Sequence, residues 1–364
     1  MKVAVLGVGL IGGSIGLAAR QRLDADVTGF DVESENLERA AELGAINRAC
    51  ASIEAAVADA ELIFCAAPVS ALPGLARTAL AASGPQAVVT DVGSTKRDLA
   101  ASLRGESGHE RFIGGHPLAG TETAGVEGAR ADLFEGARWY LTPTEDSGGV
   151  FYDRLQRAIG DLGARPQAID AGAHDRLMAT VSHLPHVLAN ALVAEAAEEL
   201  AKDSERLPAV GPSFRDATRV AGANPAIWTD IFAANSEALA DAIERLVERL
   251  TQTISVLRAG ETAEVAAWHG SAGDARRRLL GAELAGGALY ELEVAVANRP
   301  GTVAEIALAL GGAGVNIEDM ALSPAADMRT GAVSLWIAGA RESERGAAVV
   351  RDLGYTVTVV EAGE

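Results

Sequence analysis

The first 170 residues alternate short apolar runs with amphipathic segments, and this rhythm limits the fold more than any other feature of the chain. The apolar runs KVAVLGV, DVTGFD, ELIFCAA, AVVTDV and RFIGG each have the length of a strand, and helical segments such as SENLERAAELG separate them. Strands that alternate with helices in this way predict an α/β fold in which a parallel sheet carries helices on both faces. We expect this first domain to span residues 1–170.

The turn after the first strand reads GVGLIG and opens a helix, which is the setting of a Rossmann-type dinucleotide fingerprint. Its first glycine allows the tight turn, its second lets the backbone approach a pyrophosphate, and its third lets helix pack against strand. The helix N-terminus then offers N–H groups to the phosphates. A glycine-rich turn without a ligand is the alternative. The predicted cofactor contacts here are Gly7, Gly9, Leu10, Ile11 and Gly12.

Three further residues at strand ends are predicted to line the cofactor site. Asp31 ends the second strand, where a carboxylate hydrogen-bonds an adenosine ribose. Its charge would repel a ribose phosphate, and no arginine follows immediately in FDVESEN, so the sequence predicts NAD rather than NADP. Pro68 and Asp91 lie at the ends of the third and fourth strands. Ligands of open α/β sheets bind beyond these carboxyl ends, so we expect both residues near the nicotinamide.

His116 lies on a glycine-flanked loop, GGHPLAGTE, after the fifth predicted strand. Pro117 restricts the His116 backbone to extended conformations and so fixes where the imidazole points. The chain order brings this histidine to the sheet edge of the cofactor, which favours a proton acceptor; a structural histidine bonded to loop carbonyls is the alternative. Ser94, in DVGSTK, is expected at the same edge, as the N-cap of the next helix or as a hydrogen-bond partner of a neighbour.

Composition excludes several classes of function. A chain of 364 residues predicts two or three domains, and its net charge of −19 argues against nucleic-acid and anionic-membrane surfaces. Two cysteines, Cys50 and Cys65, provide neither a disulfide framework nor a four-thiolate metal site, and we expect reduced thiols in a cytoplasmic protein. The sequence contains no apolar run of membrane-spanning length, and the glycines near the N-terminus argue against a signal peptide.

The rhythm changes after residue 170 to long helical segments, which predict an all-helical dimerisation domain over residues 171–280. One polar cluster there contains His174-Asp175 and SHLPH, with His183 and His186. Histidines at this spacing suggest zinc, but no convincing carboxylate or cysteine ligand accompanies them, so we predict no metal site. A second cluster, SFRDATR, places Arg215 and Arg219 on one helix face as a carboxylate clamp; surface ion pairing is the alternative.

The motifs together resemble one enzyme family. The chain carries, in this order, GVGLIGGS, DVGSTK, GGHPLAGTETAGVEGARADLFEG, SHLPH and SFRDATRVAGANPAIWTDIF. This set is similar to the prephenate dehydrogenase family over about residues 1–280, and the HPLAG and FRDATR segments are far more specific than the glycine fingerprint. The resemblance implies a homodimer that converts prephenate to 4-hydroxyphenylpyruvate with NAD, by oxidative decarboxylation, in tyrosine biosynthesis.

The resemblance also implies roles for individual residues. His116 matches the catalytic histidine that accepts the substrate's hydroxyl proton, and Ser94 would hydrogen-bond the imidazole or that hydroxyl. Arg219 matches the arginine that holds a substrate carboxylate, and Arg215 would support it. Four further residues fall on positions of the family's substrate pocket: His186, His174, Glu122 and Trp228.

The remaining chain predicts a linker at 281–288 and a small domain at 289–364. Its strands and helices follow a β-α-β-β-α-β order, which is ferredoxin-like, and Thr302 with Glu305 predicts a capping box. NRPG followed by GVNIEDM resembles the ACT domain, an amino-acid-binding regulatory module, and suggests feedback by tyrosine; a purely structural dimerisation role is the alternative. The predicted regulatory residues are Asn298, Pro300, Gly301, Asn316 and Ile317.

Three other functions remain open from the sequence. An arogenate (cyclohexadienyl) dehydrogenase would act on a substrate with an amino group where prephenate has a keto group. Another NAD-dependent hydroxyacid dehydrogenase would not explain HPLAG together with FRDATR. A non-catalytic sensor of NAD and an amino acid would have no chemical need for His116, Ser94 and Arg219 together.

Overall fold

The computed structural model describes residues 1–120, 125–201, 210–281, 289–297, 299, 301–324 and 330–361. The chain divides into two compact units, Met1–Arg249 and Leu250–Glu364. The predicted domain boundaries at 170 and 280 stay predictions; within the first unit, the helical segment over residues 171–249 packs together with the large sheet.

Eight strands form one sheet in the first unit. They are β1 Lys2–Leu6, β2 Asp26–Phe30, β3 Arg48–Ala49, β4 Leu62–Cys65, β5 Val88–Asp91, β6 Phe112–Pro117, β7 Arg138–Thr142 and β8 Arg165–Ala168. Their order in space is β3-β2-β1-β4-β5-β6-β7-β8. The first six strands of this order have the arrangement of a doubly wound dinucleotide-binding sheet.

All neighbouring strands are parallel except β6 and β7, which pair antiparallel. The predicted Rossmann-type parallel sheet is confirmed, and this one antiparallel pair departs from it. Parallel pairing needs a crossover connection, commonly a helix, and the described residues between β6 and β7 include no α-helix to return the chain to the starting end.

Helices cover both faces of this sheet and then continue as a helical region. The α-helices are α1 Leu10–Arg22, α2 Ser34–Glu42, α3 Ile53–Val57, α4 Leu72–Ala82, α5 Arg97–Leu103, α6 Gly149–Asp161, α7 Ala171–Met178, α8 Leu184–Ala201, α9 Pro212–Thr218, α10 Pro225–Ala234 and α11 Ser236–Ala259. A π-helical turn, Ala179–His183, joins α7 to α8, and 3₁₀ turns occur at Val69–Ala71, His109–Arg111 and Val126–Gly128.

The central strands are apolar throughout because each side of the sheet has its own core. Val3 and Val5 of β1 belong to one buried cluster, and Ala4 and Leu6 belong to the other. Cys65 lies in the second cluster with no exposed surface, and burial raises the pKa of its thiol. Cys65 therefore serves as a small core residue.

One helical stretch of the described chain, Ala171–Glu199, has the length and mean hydropathy (1.3) of a membrane span, although no apolar run of that length was predicted. Near its start His174 and Asp175 are buried and hydrogen-bonded to neighbouring elements of the first unit. The start of this stretch therefore packs on protein.

The second unit contains a small antiparallel sheet. Its elements after α11 are α12 Thr262–Gly281, β9 Leu289–Ala297, α13 Thr302–Gly312, β10 Asp319–Pro324, β11 Thr330–Ala338, α14 Ala340–Asp352 and β12 Thr356–Glu361. The strand order is β10-β11-β9-β12, and all pairs are antiparallel. The predicted β-α-β-β-α-β order is confirmed.

The predicted capping box at Thr302 and Glu305 is wrong. The residue that caps α13 is Gly301, at φ +92°, so Thr302 is already helical. The Thr302 hydroxyl turns back to donate to the Ala297 carbonyl at 3.3 Å, and the Glu305 carboxylate accepts from the Tyr355 hydroxyl at 2.9 Å.

Candidate active site

The three fingerprint glycines of the β1–α1 turn differ in their surroundings. A Cβ on Gly7, at φ +97°, would lie 2.1 Å from the Ala66 carbonyl oxygen, and a Cβ on Gly12 would lie 1.9 Å from the Gly7 carbonyl oxygen. A Cβ on Gly9 would meet no atom within 4 Å. Packing of the chain therefore requires the first and third glycines, whereas the space beside the second is open to a ligand.

Two further features of this turn fit a dinucleotide. Helix α1 begins at Leu10 with no side-chain cap, so its first-turn N–H groups are available to phosphate oxygens. The half-buried Asp31 follows β2, and its Oδ2 accepts from the Val8 N–H at 2.8 Å, which holds the carboxylate against the fingerprint turn. Its Oδ1 accepts from the Glu33 N–H at 3.0 Å and from the Asn36 side-chain amide at 3.3 Å, and the lone pair that remains can accept a ribose hydroxyl. The residues present therefore suit NAD.

Asp91 occupies the predicted strand end, but its oxygens are used within the chain. It is fully buried, accepts from the N–H groups of Gly93 (2.8 Å) and Gly115 (3.0 Å), and forms an ion pair with the buried Lys96 ammonium. Lys96 also donates to the Gly115 carbonyl at 2.7 Å, and burial lowers its pKa against the opposing effect of the Asp91 charge. The predicted cofactor contact is corrected to a structural one, because Asp91 joins β6 to the loop after β5. Pro68, by contrast, is exposed at the end of β4.

His116 stands at the carboxyl end of β6 at the start of a chain of hydrogen bonds. Its Nδ1 lies 2.9 Å from Nε2 of His174, and Nδ1 of His174 lies 2.8 Å from Oδ1 of Asp175. An ionised carboxylate only accepts, so His174 donates from Nδ1 and accepts at Nε2. His116 must then donate from Nδ1, which leaves its Nε2 as a free acceptor.

The surroundings keep the His116 imidazole neutral. Burial lowers its pKa well below the ordinary value, and the positive Lys96 ammonium acts in the same direction. An unprotonated ring with an accepting Nε2 is the form that a general base requires. His174 was predicted to bind substrate, and this is corrected: its ring is fully buried and both nitrogens are bonded within the chain.

Asp175 was not among the predicted site residues, yet it lies at the end of this hydrogen-bond chain. Its carboxylate accepts from the backbone N–H groups of Lys96 (2.8 Å) and Arg97 (2.9 Å), so a residue of α7 caps α5. Ser94 is therefore not the cap of α5; it is half-buried, and no described residue hydrogen-bonds its hydroxyl. The adjacent His174-Asp175 pair in AGAHD was the available signal, but only the fold places it behind His116.

A second group of rings lies along the segment after α7. The π-helical turn Ala179–His183 inserts an extra residue, a feature often found at functional sites. It buries His183, whose Nδ1 lies 3.1 Å from the side-chain amide nitrogen of Asn235. Burial lowers the pKa of His183 to about 4. His186, in α8, stacks on Trp228 with ring centroids 3.4 Å apart.

Arg219 lies near this second group. It follows the last residue of α9, and its positive charge, after burial, contributes to lowering the pKa of His186. Both Arg215 and Arg219 are exposed in the described chain. His186, Trp228 and Arg219 therefore form one neighbourhood, as their predicted substrate-binding role requires.

The remaining predicted residues are placed as follows. Glu122, Asn298 and Pro300 lie outside the described residues. In the second unit, Asn316 is exposed and donates to the Glu318 carboxylate at 2.8 Å, while Ile317 packs on the core. Among the residues that the structure describes, no three histidine, cysteine or carboxylate side chains group as a metal site.

Comparison with known families decides the assignment of this site. The model of the prephenate dehydrogenase nucleotide-binding domain matches residues 15–167, and the model of the prephenate dehydrogenase dimerization domain matches residues 170–270. The chain belongs to the prephenate dehydrogenase family. It is an NAD-dependent oxidoreductase, as the fingerprint and His116 predicted.

Individual members of the family agree with this assignment. Prephenate dehydrogenase of Bacillus subtilis is 30% identical over 326 residues, which cover 87% of each chain. The crystal structure of prephenate dehydrogenase from Aquifex aeolicus with hydroxyphenyl propionate and NAD+ has a TM-score of 0.70 and 30% identity, covering 77% of this chain and 98% of that chain. Synechocystis arogenate dehydrogenase has a TM-score of 0.67 and 28% identity, covering 77% of this chain and 100% of that chain.

Proposed function

We propose that this chain oxidises prephenate with NAD, with loss of carbon dioxide, to give 4-hydroxyphenylpyruvate in tyrosine biosynthesis. The observation that carries the proposal is the hydrogen-bond chain from Asp175 through His174, which leaves the His116 Nε2 as an acceptor at the carboxyl edge of the sheet. The glycine fingerprint and Asp31 border the same edge and would hold the dinucleotide.

His116 would perform the proton transfer that the reaction needs. As hydride leaves C4 of prephenate, the C4 hydroxyl gives its proton to the His116 Nε2 and the C4–O bond becomes a carbonyl. Bound NAD supplies the hydride acceptor. The bond from the ring to its carboxylate then breaks, carbon dioxide leaves, and the electron pair moves through the ring to the oxygen, which regains a proton. Aromatisation favours that second step, and general-base assistance contributes about 10²- to 10⁴-fold to the first.

Several positively charged and polar side chains would orient the substrate. Arg219 would hold one of the two carboxylates, with Arg215 supporting it and His186 and Trp228 lining the same neighbourhood. Ser94 has a hydroxyl without a partner among the described residues, and it would hydrogen-bond the substrate hydroxyl. Glu122 belongs to the same predicted pocket.

The decisive test is NADH formation at 340 nm with the purified protein and prephenate, run beside arogenate as substrate and NADP as cofactor. We expect rapid reduction with prephenate and NAD and little with NADP, because Asp31 would repel the ribose phosphate. Turnover of arogenate in preference to prephenate would replace the substrate, as the similarity to arogenate dehydrogenase makes worth testing. Retention of NAD without turnover of either would favour a sensor.

The helical region is proposed to form a homodimer. The matched dimerization domain supports this, and so do the exposed Leu192 and Val193 of α8 and Val247 of α11, which leave apolar surface to be covered. A mass corresponding to two chains in analytical ultracentrifugation is the expected result. The two free, buried cysteines suit a cytoplasmic enzyme.

The small domain at 289–364 is proposed to be an ACT domain that binds tyrosine. Its β-α-β-β-α-β order, the left-handed Gly301 that opens α13 and the exposed Asn316 support the proposal. Asn298, Pro300 and Ile317 complete the predicted set. Tyrosine should inhibit NADH formation and raise the thermal midpoint of unfolding. If tyrosine changes neither quantity, this small domain has a structural role instead.

A further inference from the structure

Asp175 is buried, and its carboxylate and its backbone carbonyl accept hydrogen bonds from residues of three elements. Oδ1 accepts from Nδ1 of His174 and from the Lys96 N–H, both at 2.8 Å, and Oδ2 accepts from the Arg97 N–H at 2.9 Å. The Asn235 side-chain amide donates to the Asp175 carbonyl at 2.8 Å. Asp175 thereby joins α7 to the start of α5 and to the turn before α11, and it faces His174 with a fixed carboxylate.

We propose that Asp175 is a positioning residue for the reaction, acting through His174 to fix the tautomer and the orientation of the His116 ring. The inference rests on the proposed function, in which Nε2 of His116 receives the substrate proton. Because the Asp175 carboxylate at the end of this chain can only accept hydrogen bonds, it allows a single arrangement of the ring protons on His174 and His116. Its negative charge also stabilises the imidazolium that forms when His116 takes the proton.

Asp175→Asn tests this directly. An amide at this position must face His174 and two backbone N–H donors, and it has one oxygen to offer them. In either orientation of the amide, its NH₂ group faces an N–H donor. In one of the two orientations the NH₂ group also faces His174, which then accepts at Nδ1 and donates from Nε2. His116 must then accept at Nδ1 and carry its proton on Nε2, so both tautomers are reversed. We expect kcat to fall at least about 100-fold, with the prephenate KM and NAD affinity changed much less.

Asp175 also caps α5, so two further variants separate the cap from the hydrogen-bond chain. His174→Phe removes the link to His116 while leaving Asp175 bonded to Lys96 and Arg97, and it should lower kcat as Asp175→Asn does. Asp170→Asn makes the same carboxylate-to-amide change at the N-cap of α7, where Asp170 accepts from the Ala173 N–H at 2.8 Å. This matched control should retain kcat within about twofold, because Asn caps helices as well as Asp does.

The tautomer itself can be measured without substrate. In protein labelled with ¹⁵N-histidine, the His116 signals are those missing from His116→Asn, and Nε2 should have the chemical shift of an unprotonated nitrogen. In Asp175→Asn that nitrogen should become at least partly protonated. A wild-type His116 protonated at Nε2 would overturn the proposal, and so would folded Asp175→Asn or His174→Phe protein with kcat within about threefold of wild type.

These outcomes also separate the inference from the proposed function. If wild type turns over neither prephenate nor arogenate, the proposed function fails, whereas the NMR result still decides whether Asp175 sets the His116 tautomer. If Asp175→Asn unfolds, judged by circular dichroism, His174→Phe and the wild-type NMR signal decide the question.

Discussion

At the scale of the residue, His116 illustrates how far the environment changes an ordinary side chain. Pro117 holds its backbone extended within β6, and a buried histidine behind it occupies Nδ1. Burial then lowers the pKa of the ring, so the neutral form persists below the pH at which a solvent-exposed histidine would take a proton. The result is one unprotonated nitrogen directed away from the hydrogen-bond chain.

We expect His116→Asn to lower kcat at least about 100-fold while leaving NAD affinity nearly unchanged, because the base is lost but the fingerprint turn is not. Steady-state kinetics at 340 nm and calorimetric titration with NAD measure the two quantities. In the wild type, the acid limb of kcat/KM should lie below pH 6.5, the ordinary histidine value. Unchanged turnover in the variant would remove His116 from the mechanism.

Arg219 and Arg215 provide a matched pair on one exposed segment. Arg219→Ala should raise the prephenate KM about 10- to 100-fold, the effect of losing a hydrogen bond between charged groups, with a smaller change in kcat. Arg215→Ala should have the weaker effect, because we assign Arg215 a supporting contact. Equal effects of the two changes on KM would contradict this order.

At the scale of the element, the β1–α1 turn shows that the glycines of one motif have different roles. Gly7 and Gly12 are required by the packing of the chain against itself, whereas Gly9 faces open space. The π-helical turn is another such element, because its extra residue buries His183 while His186, three residues on, reaches Trp228. Local geometry in both cases decides which side chains face the site.

Two alanine substitutions separate folding from cofactor binding in this turn. Gly9→Ala should leave the thermal midpoint unchanged and weaken NAD binding, because its Cβ would enter the space proposed for the pyrophosphate. Gly12→Ala should lower the midpoint, because its Cβ would lie 1.9 Å from the Gly7 carbonyl oxygen. Thermal unfolding and NAD titration measure both; a Gly9→Ala protein with unaltered NAD affinity would exclude the pyrophosphate from this position.

At the scale of the whole molecule, buried neutral histidines make stability depend on pH. The folded chain protonates His183 at a pH of about 4, whereas the unfolded chain does so near 6.5. Between these values the unfolded state binds more protons, so stability falls as pH falls through this window. Of the neighbouring titratable groups, Asp175 raises the pKa of His183, whereas His174 and His186 lower it; the Asn235 amide nitrogen lies within hydrogen-bond distance of the ring.

His183→Gln should therefore reduce the loss of unfolding free energy between pH 6.5 and pH 4 by about 2 kcal/mol. The matched control is His269→Gln, since His269 is exposed on α12 and should leave the pH dependence as in the wild type. Urea unfolding at several pH values measures the slope. A slope in His183→Gln equal to that of the wild type would mean that other groups govern the acid limit.

The sequence by itself determined the features that depend on residues close together in the chain. Apolar runs with helices between them predicted the large sheet, the glycine spacing predicted the cofactor turn, and the proline after His116 predicted a fixed imidazole. Each is a local pattern, and local backbone preferences and burial periodicity are enough to produce it.

The tertiary structure alone decided how distant residues meet. His116 and His174 are 58 residues apart, and the Asp175 that caps α5 lies 78 residues beyond Arg97. Asp91 was expected to face the cofactor, but a buried lysine and two backbone N–H groups surround its carboxylate. The antiparallel β6–β7 pair was likewise invisible in the rhythm of the sequence. Hydrogen bonds between buried polar groups satisfy whichever partners packing brings near, and no local pattern encodes those partners.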